Sequence, residues 1–144
     1  MGGQHKGNFA AKHGPEIEAD PAVADALKSK VKDGRVSCAA AHHLARDLKV
    51  SPALVGVALD LARYRINKCQ LGLFGYWPEK RIVKPALHVA PELEKAIRAA
   101  LKNSRLSCSD AWELAEKSGL SRLEVAAACE ALQIRISSCQ LGAF

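Results

Sequence analysis

The chain has 144 residues, of which 49% are apolar and 25% charged, a globular composition that excludes collagen-like and low-complexity classes. No apolar run approaches the ~18 residues of a membrane span, and the start Met1-Gly2-Gly3-Gln4-His5-Lys6 carries neither a signal peptide nor a myristoylation pattern, so a cytoplasmic location is expected. The net charge of +6 is uneven: residues 1–74 hold 11 Lys+Arg against 7 Asp+Glu, residues 75–90 hold 3 against 1, and residues 91–144 hold 7 against 7.

Residues 1–19 have no periodic apolar face. His5, Lys6, Lys12 and His13 precede Glu16 and Glu18, and the composition reads as a flexible basic and acidic tail. Asp20-Pro21 then opens a first helix, with Asp as N-cap and Pro at the first helical position. Val23, Leu27 and Val31 recur every four residues along it. Asp33-Gly34 ends it with turn chemistry.

Ser37 caps a second helix whose Cys38, Ala41, Leu44, Ala45 and Leu48 make a buried stripe. Ser51-Pro52 opens a third, with Val55, Ala58, Leu59 and Ala62 facing inward. The period then changes to alternation. Tyr64–Asn67 reads as a short strand, and Arg81-Ile82-Val83-Lys84 as its return strand across a loop containing Gly72, Gly75 and Pro78.

From Pro91 the chain repeats itself. Residues 21–74 and 91–144 align without a gap at an offset of 70, with 19 identical positions in 54. The hexapeptide Cys69-Gln70-Leu71-Gly72-Leu73-Phe74 returns as Cys139-Gln140-Leu141-Gly142-Ala143-Phe144. A tandem duplication follows. The expected organisation is a tail at 1–19, a first repeat at 20–85, a linker at 86–90 and a second repeat at 91–144. Each unit is small enough to bury only about 60% of its surface alone. It should therefore lean on its twin or on a partner, and a second chain could serve as that partner in a homodimer.

Three short helices followed by a hairpin resemble a winged helix-turn-helix. The resemblance is sharpest at Ala115, Gly119 and Val125, a small residue, a turn glycine and an aliphatic residue in the family's spacing. The first copy has Ala45 and Val55 but Lys49 at the turn. The fold class implied is mainly α with short β-hairpins, in two winged-helix-like units. The function implied is DNA binding by a transcriptional regulator.

The third helices do not favour reading bases. Leu54, Val57 and Leu61 are apolar outside the inward stripe, and Asp60 is acidic. The basic residues Arg65, Lys68, Lys80, Arg81 and Lys84, with Tyr76 and Trp77 among them, form the expected nucleic-acid surface, on the first wing. The alternative is a protein-interaction adaptor using Leu54, Val57 and Leu61. No catalytic constellation and no cofactor motif is found. Cys38 and His42 stand one helical turn apart, as metal ligands would, but Trp112 and Glu113 replace His42 and His43 in the second copy, so no metal is expected.

Overall fold

The structure is a computed structural model that describes residues 20–144. The tail at 1–19 lies outside the described residues. The elements are α1 (Pro21–Lys28), β1 (Arg35–Ser37), α2 (Cys38–Leu48), α3 (Pro52–Leu61), β2 (Arg65–Asn67), α4 (Pro91–Ala100), β3 (Arg105–Ser107), α5 (Cys108–Ser118), α6 (Arg122–Ala131) and β4 (Arg135–Ser137). The chain is thus mainly helical with short strands, and the same order of elements occurs twice.

Helix starts follow local chemistry. Asp20 accepts from the Ala22 amide, Ser37 from Ala40, Ser51 from Leu54 and Ser107 from Asp110. Ser121 and Glu124 complete a reciprocal capping box on α6. Backbone bends recur too. Asp33 and Asn103, Gly34 and Ser104, and Lys49 and Gly119 all take positive φ. Both residues of the 33–34 turn do so, as a tight type I′ turn demands, and Lys32 and Arg35 exchange backbone hydrogen bonds across it.

The strands do not form hairpins. β1 pairs in parallel with β2, setting Arg35 beside Arg65, Val36 beside Ile66 and Ser37 beside Asn67. β3 pairs with β4 in the same register. Residues 81–84 are not a strand: the Ile82 amide donates to the Gly72 carbonyl at 2.9 Å, and the wing expected there is absent. The strand after the third helix is already partnered by the one before the second helix. Three residues running straight into an N-cap are too short to show alternation in sequence.

The chain divides into two compact units. Unit 1 comprises residues up to Cys69 together with Gln140–Ala143, and unit 2 comprises Gln70–Cys139 and Phe144. The boundary therefore falls within the repeated hexapeptide and not near residue 85, and the segment read as the first wing belongs to unit 2. Val23, Leu27, Val36, Val55 and Leu59 form the core of unit 1, and Ile97, Leu106, Val125 and Cys129 that of unit 2. Leu71 and Leu141, the repeated leucines of the hexapeptides, are also buried. Each contributes about 2 kcal/mol of hydrophobic stabilisation.

In unit 1 the 140–143 segment lies on α3, and a Cβ on Gly56 would stand 1.9 Å from the Leu141 carbonyl oxygen. The corresponding residue of α6 is Ala126, which is buried. Gly56→Ala should therefore lower unfolding free energy by about 1–3 kcal/mol, measured by urea denaturation, because backbone must move to admit the methyl. Lys49 ends α2 in the left-handed region, where Gly119 ends α5. Lys49→Gly should raise stability by up to about 1 kcal/mol in the same assay, since left-handed strain exceeds glycine's added chain entropy.

Candidate nucleic-acid interface

The basic and aromatic residues expected to cluster fall in different units. Arg65 and Lys68 belong to unit 1, while Tyr76, Trp77, Lys80, Arg81 and Lys84 belong to unit 2. In unit 2, Tyr76 and Lys80 close a turn with reciprocal backbone hydrogen bonds. The turn presents Trp77 to solvent at 86% exposure. Lys80 and Lys84 are exposed beside it in sequence.

Arg81 must be removed from the set of free cations. Its guanidinium donates to Glu130 on α6 at 2.6 Å. The linker is held to the same helix by the Ala86 amide, which donates to the Ala127 carbonyl at 3.0 Å. Tyr76 is half-buried and lines a cavity of about 660 Å³ with Gln70, Trp112 and Arg122. Arg122 lies 3.5 Å from the centre of the Trp112 ring and donates to the Gln70 side-chain oxygen at 3.1 Å. The stacked contact is a cation–π interaction. It fixes the one arginine of α6 against its own unit instead of offering it to a base.

The third helices carry further obstacles to groove binding. Glu124 sits in the first turn of α6, where hydrogen bonds from the Ser121 backbone and side chain hold its carboxyl below the ordinary range. A persistent negative charge there repels phosphate. On α3, Asp60 is buried, and Leu54, Val57 and Leu61 are half-buried. Those three do not make an open apolar face: α3 packs on α2 on one side and meets the 140–143 segment at Gly56 on another. Its apolar character accords with this partial burial within its own unit.

The sequence reading missed a second basic feature. Arg35 and Arg65 are register partners on the outer face of β1–β2, and both are exposed. Arg105 and Arg135 repeat the arrangement in unit 2. Of these four, only Arg65 is among the residues expected at the nucleic-acid surface, although all four are retained in the repeat alignment.

All five cysteines are thiols. Cys38, Cys69, Cys108 and Cys129 are buried, whereas Cys139 is only partly covered. Among the described residues, no three His, Cys, Asp or Glu side chains stand together as metal ligands would. No helix among them is long and apolar enough to cross a membrane. Searches against protein families, curated proteins and solved structures found no match to this chain.

Burial, and then the neighbouring Glu130 charge, push the Cys129 thiol up to about 11. The raised value favours the folded state below the ordinary thiol value of 9.0, and that contribution is lost as pH rises towards 11. At pH 8 roughly one Cys129 in a thousand would be thiolate. A maleimide added to native protein at pH 8 should label Cys139 first and leave Cys129 unmodified, as peptide mass mapping would record.

Proposed function

We propose that this chain is a non-catalytic nucleic-acid-binding protein that works as a DNA-binding regulator. The observation carrying this reading is the 76–80 turn, which holds Trp77 in solvent with Lys80 and Lys84 exposed nearby. An indole left in water is unfavourable unless a partner covers it. Flanking cations suit a partner that is itself aromatic and anionic, which describes a base with its phosphate. The resemblance of α2, its left-handed turn and α3 to a helix-turn-helix favours DNA and a regulatory setting. The tied Arg122 and the covered α3 argue that contact is made through phosphate and stacking, not through a helix reading base edges. The adaptor reading is less favoured, because Leu54, Val57 and Leu61 are half-buried.

Binding to mixed-sequence oligonucleotides should quench tryptophan fluorescence and weaken steeply with salt, by about 0.9 log unit per log unit of salt for each phosphate neutralised. Trp77→Ala should weaken binding by about 10- to 100-fold, the range for one stacked base. Replacing Lys80 and Lys84 together by Ala should flatten the salt slope by up to about two units. Binding that ignores salt and survives Trp77→Ala would defeat the reading, as would no binding in 20 mM salt. Loss of a protein partner on Leu54→Asp, with nucleic-acid binding absent, would restore the adaptor.

A further inference from the structure

A surface position retained between two diverged copies needs a reason. Among positions exposed in both copies, Pro21 and Pro91 start helices, and Ser51 and Ser121 cap them. The remaining exposed identities are all cations: Lys32 with Lys102, Arg35 with Arg105, and Arg65 with Arg135. Other exposed charges have reversed sign, as in Asp25 against Lys95, Arg46 against Glu116 and Asp47 against Lys117, or been lost, as in Lys30 against Ala100, Arg63 against Gln133 and Lys68 against Ser138. Lys28 and Arg98 keep their sign, but each is in an ion pair on its own helix.

The fold brings the three retained cations of each copy into one row. Lys32 bridges Arg35 across the 33–34 turn, and Arg35 stands beside Arg65 on the parallel ladder. Lys102, Arg105 and Arg135 repeat this. Partners on a ladder share a face, and adjacent strands lie about 4.8 Å apart, so each row is about 10 Å wide. Like charges placed side by side destabilise a sheet. The arrangement has nevertheless been kept twice while other exposed charges were inverted or lost. In unit 2 the row borders a cavity of about 610 Å³ lined by Lys102, Asn103, Arg105, Ser107, Ser137 and Ser138. Hydroxyl and amide donors there add hydrogen bonds suited to an oxyanion.

We propose that each unit carries one phosphoryl-binding site, made of Lys32, Arg35 and Arg65 in unit 1 and of Lys102, Arg105 and Arg135 in unit 2. The two sites differ in strength. Asp110 approaches Lys102 at 4.0 Å, and Ala40 occupies its place in unit 1. Lys68, at the position of Ser138, adds a further exposed cation on the unit 1 side. The unit 1 site is therefore the stronger. The proposal depends on the nucleic-acid reading only for the source of the phosphate, which is a polynucleotide backbone or a free polyphosphate.

The test uses the full chain, with the arginine side-chain N–H signals followed by NMR. Inorganic tripolyphosphate and a mixed-sequence oligonucleotide are added separately. The expected result is movement of the Arg35 and Arg65 signals at lower tripolyphosphate concentration than those of Arg105 and Arg135. Arg35→Gln with Arg65→Gln should abolish the tripolyphosphate response of the Asp33 and Gly34 backbone amides, which the variant retains as probes of the unit 1 site, and flatten the oligonucleotide salt slope by about one unit per phosphate lost. Because the change relieves repulsion, the melting temperature should hold or rise, which a structural role for these arginines would not allow. Tripolyphosphate binding without oligonucleotide binding supports the sites and assigns them to a free polyphosphate, defeating the nucleic-acid reading. Oligonucleotide binding that leaves all four arginine signals unmoved overturns the sites and leaves the nucleic-acid reading standing. A lowered melting temperature, or an undiminished response in the variant, also overturns the proposal.

Discussion

Parallel pairing of two three-residue strands is the constraint from which each unit follows. Parallel neighbours cannot be joined by a tight turn and need a long crossover, which α2 and α3 provide between β1 and β2. The pairing turns Val36 towards the helices with Ile66 as its register partner, and Leu106 with Ile136 in unit 2. It also lets Ser37 end a strand and cap a helix at once. Alternation then leaves the neighbouring arginines no choice but the outer face. A hairpin would have separated them, so the paired charge is a product of topology.

Features written in a few adjacent residues were legible in the sequence. Asp20-Pro21, Ser51-Pro52 and Ser121-x-x-Glu124 open helices as their chemistry requires, and the duplication fixed equivalent positions before any coordinates. The strand pairing was not legible, because Arg35 and Arg65 are joined only after two intervening helices. The same distance problem affected the basic stretch. Trp77, Lys80 and Lys84 stand in solvent as their composition implied, whereas Arg81 is claimed by Glu130, 49 residues away. The excess of apolar residues on α3 was visible in sequence, but the approach of the distant 140–143 segment to Gly56 was not.

Comparison of the copies separates what the backbone demands from what the side chains do. Left-handed positions recur at 63 and 133 and at 68 and 138, although Arg63 has become Gln133 and Lys68 has become Ser138. The bends are set by the crossover and tolerate changes of residue. Phe74 and Phe144, in contrast, keep their identity and meet edge to face at 5.9 Å within unit 2. Aromatic pairs of this geometry add about 0.5–1.5 kcal/mol beyond their buried area. Retention of the final aromatic thus has a packing explanation, and the retained surface cations do not.

Gly56 and Ala126 make the two copies non-interchangeable. When the two copies were newly identical, one residue type occupied both positions. Alanine in both would have driven a methyl into the Leu141 carbonyl, and glycine in both would have left α6 a methyl short within a closed interior. Glycine in both copies would still have admitted the Leu141 carbonyl, at the cost of one methyl's packing in α6. Today the copies cannot be interchanged: their order along the chain is written as the presence or absence of a single carbon.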